Sequence, residues 1–378
     1  MTIGQPDQKL HYGHAAHHAD DPLNGDFVNE HGIIDQKEVD ETNIYVEAKL
    51  NKVLQNIADN DLISLKAAAA SPGGFGLFDR EIRLKAWYKL TNVDEKTLPS
   101  LSEEDTQRNN FYRQVILDVD RSLKRFPPSV HEAKRLLYQD SLTRMIIRVL
   151  SHNPRLHYYQ GYHDICLTFL LMVDEETAFR LVNRVSNTHL CYYMEETMHT
   201  TSNHLQIIYW ILNLEDQELH DYLLRSEVGT IFSLSWVITW FSHVLGNFDD
   251  IARLFDYFIS SHFLMPIYLT VSILLYKKDD IQQIDCDMAS MHQYLTNIPQ
   301  RERLPFDKLV DDSLRLAVKH PPEDTLATQK ALQEKALSGE EEPTAVESTL
   351  LFIRRNVFSI TFVVFVSAMI YQLYSEYS

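Results

Sequence analysis

The sequence predicts an all-α protein: one large helical domain, then a linker, then a single C-terminal membrane-spanning helix. Three observations predict it. Apolar residues between Asn43 and Tyr276 recur at three- and four-residue spacing, the mark of helices with one buried face. Alternating apolar and polar runs, the mark of hairpins, are missing, and so is any short internal repeat. Val357–Tyr374 is an uncharged apolar stretch close to the last residue.

Composition narrows the possibilities. The chain has 378 residues, a length that suits one large domain or two ordinary ones with tails. It is 45% hydrophobic and 11% aromatic, enough to fill a substantial core. The formal net charge of -18 repels phosphate backbones, so nucleic acid is excluded from the expected partners. Cys166, Cys191 and Cys286 lie far apart without a CxxC pair. They read as apolar fillers in a reducing compartment rather than as a disulfide framework or a zinc site. The first residues show no apolar run after a basic start, so no cleavable signal peptide is expected.

The elements follow in order. Residues 1–42 carry few apolar positions and many Asp, His, Asn and Gly, and read as a disordered arm. His11, His14, His17 and His18 have helical spacing, but no Cys or paired carboxylate completes a metal site. From Asn43 the pattern turns helical, with Leu50, Val53, Leu54 and Ile57 on one face. Ser71-Pro72-Gly73-Gly74 breaks the chain. Leu142, Met145, Ile146, Val149 and Leu150 form one later apolar stripe; Leu205, Ile208, Ile211 and Leu212 form another. The expected helical domain is 43–315.

Residues 316–349, with Pro321-Pro322 and Glu340-Glu341-Glu342-Pro343, read as a solvated linker holding a short helix around Thr325–Ala336. Residues 350–378 form the expected anchor, with its span at 357–374. As a helix the span is about 27 Å long, close to the thickness of an endoplasmic reticulum bilayer. Arg354 and Arg355 precede it and place its N-terminal side in the cytoplasm. Two other apolar stretches compete, Val228–Leu245 and Phe263–Tyr276. The first is interrupted by Ser233, Ser235, Thr239, Ser242 and His243, and the second is short and contains Pro266. Both read as core helices.

Several chemistries are absent. No GxxxxGK[ST] loop, GxSxG elbow or HExxH pair occurs. Gly73-Gly74-Phe75-Gly76 lacks the following Lys of a phosphate loop and reads as a turn. A self-contained hydrolase is therefore not expected.

Three short patterns stand in a set order. The first is Arg83-Leu-Lys-Ala-Trp87. The second is Val115-Ile-Leu-Asp118-Val-Asp-Arg121, followed by Phe126-Pro127. The third is Tyr158-Tyr-Gln160-Gly161, followed by Asp164. Each has an ordinary reading: a cation over a ring, a helical ion pair, a helix end. Together and in order they resemble the RxxxW, IxxDxxR and YxQG motifs of the TBC domain of Rab GTPase-activating proteins. The one departure is Val115, where the family usually has Ile. The resemblance covers about 70–310, including Gly76-Leu77 and Trp236–Leu245 leading to Leu254–Phe258. A TBC domain with a C-terminal anchor further resembles the endoplasmic reticulum branch of the family.

The resemblance implies the following. The chain is not itself an enzyme but an activator that completes the active site of a Rab in its GTP-bound state. Arg121 is an arginine finger that neutralises charge on the transferring phosphoryl group. Gln160 is a glutamine finger that orients the attacking water. Asp118 holds the finger region, Tyr158 and Gly161 shape the loop that presents Gln160, and Arg83 and Trp87 pack the N-terminal subdomain. No cofactor is expected, because GTP and Mg belong to the Rab. The expected location is the endoplasmic reticulum membrane, tail-anchored, with the Golgi as a further site. Two other readings stay open from sequence: a catalytically silent Rab-binding scaffold, and a membrane-shaping protein with a hairpin at 228–276.

Overall fold

Helix α13 (Phe248–Ser260) is buried from Ile251 to Ser260, and α14 (Met265–Tyr276) from Met265 to Leu274. Helix α14 lies in the apolar stretch Phe263–Tyr276 and carries no charge because protein encloses it, whereas α13, between the two apolar stretches, buries Arg253 and Asp256 among its apolar residues. The computed structural model describes residues 36–93, 98–122, 132–301 and 303–338, and every regular element among them is helical. In chain order these are α1 (Gln36–Asp59), α2 (Leu62–Ala70), α3 (Arg80–Thr91), α4 (Glu103–Arg108), α5 (Tyr112–Ser122), α6 (Glu132–His152), α7 (Tyr162–Met172), α8 (Glu175–Thr188) and α9 (His199–Leu205). There follow α10 (Ile207–Glu215), α11 (Gln217–Arg225), α12 (Ile231–Ile238), α13, α14, α15 (Lys278–Ile281), α16 (Met288–Arg301), α17 (Phe306–Lys319) and α18 (Pro322–Ser338).

Local chemistry sets the boundaries. Asp61, Ser102, Asp174 and Asp216 each accept a backbone N–H in the first turn of the helix they precede. Asn92 ends α3 in the left-handed conformation. Pro266 sits in the first turn of α14, where its missing N–H costs nothing. The Ser71–Gly74 break is a turn, as the sequence reading has it.

The chain divides into two units, Met1–Lys52 and Val53–Ser378. The first contributes the N-terminal part of α1, which begins at Gln36, inside the stretch that the sequence reading assigns to the arm. Residues 36–42 combine Gln, Lys and Glu with few helix breakers, which suits a helix without an apolar stripe to announce it. The second unit holds the core. There α5 packs on α6 and α7, α13 on α2 and α3, and α14 on α17, α10 and α12. Leu142, Met145, Ile146, Val149 and Leu150 are all buried, as are Leu205, Ile208, Ile211 and Leu212.

The C-terminal side runs past position 315. Helix α17 continues to Lys319, and α18 starts at Pro322. The Tyr268 hydroxyl donates to the His320 carbonyl at 2.6 Å and lies 3.0 Å from Thr325 Oγ1. Thr325 is buried, so the beginning of the stretch read as linker packs onto α14. Leu316, Ala317 and Leu326 also pack against the core and His320 pairs with Glu215; the charges and the Pro321-Pro322 pair among them hid this in the sequence. No helix among the described residues is long and apolar enough to cross a membrane. The histidine cluster of the arm, Phe126-Pro127 and the span 357–374 lie outside the described residues.

Candidate functional site

Helix α5 carries Asp118 and Arg121 three residues apart, which puts both on one side of the helix. Burial then separates them. The Asp118 side chain is 6% exposed and that of Arg121 is 54% exposed. Arg121 Nη1 lies 3.6 Å from Asp118 Oδ1, too far for a hydrogen bond. The pairing keeps the guanidinium near its helix by charge without using up a donor. A half-exposed pair of this kind contributes about 0–1 kcal/mol to stability.

Tyr158 joins this helix to the next motif. Its hydroxyl donates to Asp118 Oδ2 at 3.0 Å and lies 3.2 Å from His163 Nδ1. The phenol has one proton. With that proton given to Asp118, the bond to His163 requires a proton on Nδ1, and the tyrosine oxygen accepts it. Burial pushes the Tyr158 hydroxyl well above its usual pKa, and the neighbouring Asp118 pushes it further in the same direction. It therefore stays a neutral donor at any physiological pH.

Gln160 follows two residues later, exposed in the turn that precedes α7. Its neighbours are locked in place. Tyr159 is buried, and its hydroxyl donates to the Ile238 carbonyl at 2.7 Å. Gly161 caps α7 at φ 105, where an L side chain is strained. A Cβ there would also sit 2.7 Å from Thr239 Cγ2. Two independent restrictions thus select glycine. The outcome is an exposed amide on a turn whose flanking rings are held in the core.

Arg83 and Trp87 lie elsewhere, around a residue that sequence reasoning missed. Trp87 Nε1 donates to Asp256 Oδ1 at 2.7 Å, and Phe75 N donates to Oδ2 at 2.8 Å. Arg83 Nη2 donates to Oδ2 at 3.2 Å, while its Nε, 3.1 Å from Oδ1, lacks hydrogen-bond alignment and contributes charge only. Asp256 is fully buried on α13. Burial raises its pKa, opposed by Arg83, the Phe75 N–H and the Trp87 N–H. Gly74 and Gly76 let the preceding turn close over the pair, since a Cβ at either would come within 2.7–2.8 Å of Asp256 Oδ2 or Arg83 Nη2. One turn earlier on α13, Arg253 donates to the carbonyls of Ala69, Ala70 and Ser71 and pairs with Asp307 at 2.8 Å. The RxxxW motif is thus half of a clamp that ties α2 and α3 to α13. The available signal was a lone acid inside the apolar run Leu254-Phe255-Asp256-Tyr257-Phe258.

The structure therefore assembles two constellations. The Tyr158–Asp118 hydrogen bond joins the segment that carries Gln160 and Gly161 to the helix that carries Arg121, and Arg83, Trp87 and Asp256 form a structural clamp. No cluster of metal-ligating side chains occurs among the described residues.

Helical architecture and motif order together define a TBC-type domain. The chain matches the model of the Rab-GTPase-TBC domain over residues 80–282. It is 44% identical over 290 residues to TBC1 domain family member 20 of Homo sapiens, covering 76% of this chain and 70% of that protein. It is 29% identical over 231 residues to the GTPase-activating protein gyp10 of Schizosaccharomyces pombe, covering 60% of this chain and 61% of that one. In fold it is similar to the crystal structure of the Chlamydomonas flagellar RabGAP TBC domain, with a TM-score of 0.54 at 14% identity, covering 74% of this chain and 95% of that chain. The chain belongs to the Rab-GTPase-TBC domain family.

Proposed function

We propose that this protein is a GTPase-activating protein for a Rab, supplying Arg121 and Gln160 to the GTP-bound partner's active site. One observation carries the reading. The exposed guanidinium of Arg121 and the exposed amide of Gln160 are presented by two segments that the Asp118–Tyr158 hydrogen bond joins. The chemistry suits these residue types. A guanidinium is always charged and presents several donors to phosphoryl oxygens. A neutral amide accepts from a water with its oxygen and donates with its nitrogen. The protein needs no nucleotide or Mg²⁺ of its own, since both arrive with the Rab. Buried Asp118 and Tyr158 align the fingers, and Gly161 gives the turn its shape.

The finer location follows from residues 357–374. An uncharged stretch of that length after Arg354-Arg355 anchors the domain on the cytoplasmic face of the endoplasmic reticulum or early Golgi. Anchoring confines the activator and a membrane-bound Rab to one surface and raises their effective concentration. The deciding experiment measures single-turnover GTP hydrolysis by a panel of purified Rabs with the full chain in detergent and with a chain lacking 357–378. Both should accelerate at least one Rab, and only the shorter chain should be cytosolic in cells. Acceleration of no Rab would leave a Rab-binding scaffold. Membrane retention of the shorter chain would remove the single anchor.

A further inference from the structure

Behind the Gln160 turn runs the segment 238–243, which the roles assigned above leave unused. It supports the turn at three points. The Ile238 carbonyl accepts from the Tyr159 hydroxyl at 2.7 Å. The Thr239 methyl fills the space that a side chain at position 161 would need. His243 Nδ1 lies 2.6 Å from Asp164 Oδ2. Asp164 stands in the first turn of α7, where its own N–H donates to the Gly161 carbonyl at 3.0 Å. These supports flank Gln160: Tyr159 comes just before it, Gly161 and Asp164 just after.

The support is stiff. Trp240 and Phe241 are consecutive left-handed residues, with φ 50 and φ 63. That conformation costs a bulky L residue about 1–2 kcal/mol. Buried aromatic packing holds it. The Trp240 ring meets Phe255 edge-on at 5.2 Å, and the Phe241 ring stacks on Phe258 at 6.3 Å. The Phe241 N–H donates to the Trp236 carbonyl at 2.8 Å. Strained backbone persists where its surroundings over-determine it, and it concentrates where geometry matters to function. Asp164 is 4% exposed, with His163 Nε2 3.6 Å from its other oxygen, whereas His243 is 31% exposed at the edge of the core. His243 is therefore the link that can be changed with least damage to packing.

We propose that the segment 238–243 sets the position of the Gln160 amide, with His243 acting through Asp164, and Tyr159 acting through the Ile238 carbonyl, as positioning residues. The proposal rests on the reading of Gln160 as the water-orienting finger. Its test is a double-mutant cycle in single-turnover Rab GTP hydrolysis, using the full chain in detergent, with half-saturating concentration and thermal unfolding measured alongside. His243→Ala should lower the maximal stimulated rate by about tenfold to a hundredfold, the upper figure being what a misplacement near 1 Å can cost. The half-saturating concentration should stay within about twofold, and His243→Asn, whose amide can donate to Asp164, should recover most of the rate. In a Gln160→Ala background the same change should cost less than about twofold, because the group it positions is already gone. Tyr159→Phe run through the same cycle gives the same answer should His243→Ala fail to fold. Equal losses in both backgrounds, or a wild-type rate from both His243→Ala and Tyr159→Phe while Gln160→Ala is crippled, overturns the positioning role and leaves the finger intact. Full activity of Gln160→Ala itself removes the finger and the proposal together.

Discussion

Tyr158 donates its hydroxyl proton to Asp118 across 40 residues of sequence, at 3.0 Å, and so joins the helix that carries Arg121 to the turn that carries Gln160. Removing only that oxygen isolates the effect. Tyr158→Phe leaves the buried Asp118 carboxylate short of one donor and His163 Nδ1 short of its tyrosine acceptor, and should destabilise the fold by about 1–3 kcal/mol. Stimulated hydrolysis should fall more than the loss of folded protein accounts for. Urea unfolding and single-turnover rates on the same sample separate the two. An unchanged rate per folded molecule would show that the hydrogen bond serves stability alone.

Arg121 should be the opposite case, large in function and small in stability. Its side chain is half exposed and its ion pair is long. Arg121→Ala should change unfolding free energy by no more than about 1 kcal/mol. The same change should reduce stimulation by about 10³–10⁵, the general range for arginine fingers. Arg121→Lys should be nearly as poor, because an ammonium does not reproduce the planar fork of donors. A folded Arg121→Ala protein retaining more than a tenth of the activity would place the finger elsewhere.

Gln160 makes a claim about the partner. In most small GTPases their own glutamine orients the water. With Gln160 supplied in trans, a Rab whose own glutamine is replaced by Leu should still respond, though less strongly. Gln160→Ala should cripple the activator toward wild-type Rab with Arg121 intact. All four combinations of activator and Rab should be compared in single turnover. Full activity of Gln160→Ala combined with a silent Leu-substituted Rab would leave an arginine-only mechanism.

Asp256 should matter to the fold and not to the chemistry. It is fully buried and accepts from Trp87, Phe75 and Arg83. Asp256→Asn turns one acceptor into a donor that faces donors and strips Arg83 of its counter-charge. The expected loss is about 3–5 kcal/mol. Chemical denaturation reads it, and the folded fraction at low temperature should keep wild-type stimulation. A loss below about 1 kcal/mol would mean that solvent or rearranged partners replace the clamp.

Acid should weaken the domain through its buried histidines. Burial lowers His189 and His204 from 6.5 to about 4. Their folded values lie below the unfolded one, so the unfolded chain binds the extra protons. The stability they hold is complete above pH 6.5 and is lost as pH falls toward 4, by at most roughly 3 kcal/mol each. His204 rests against Tyr192 and Phe263, and its Nδ1 has no hydrogen-bond partner among the described residues. His204→Phe should therefore keep the packing and flatten the pH slope of urea unfolding between pH 7 and 5. A wild-type protein equally stable across that interval would refute the argument.

The legibility of this protein follows from the range of each signal. Helical class and the apolar stripes of α6 and α10 were readable because a helix prints its buried face at three- and four-residue spacing. The turn at Ser71–Gly74 was readable because glycine and proline act locally. Asp118, Arg121, Tyr158, Gln160 and Gly161 were readable as short patterns in order. The extension past position 315 was not, since the Leu316, Ala317 and Leu326 that pack on the core stand among charges and prolines, and the hydroxyl that Thr325 meets belongs to a distant helix.

By itself the sequence determined the helical class, the family motifs and the residue types on offer for chemistry, because these depend on neighbours along the chain. Tertiary structure alone decided which of those residues meet. Asp256 reaches Trp87 across 169 residues, and His243 reaches Asp164 across 79. A lone acid or histidine in an apolar run announces only that it needs a partner, since burying it unpaired is costly. Which partner it finds is set by how the helices pack, and no local spacing encodes that.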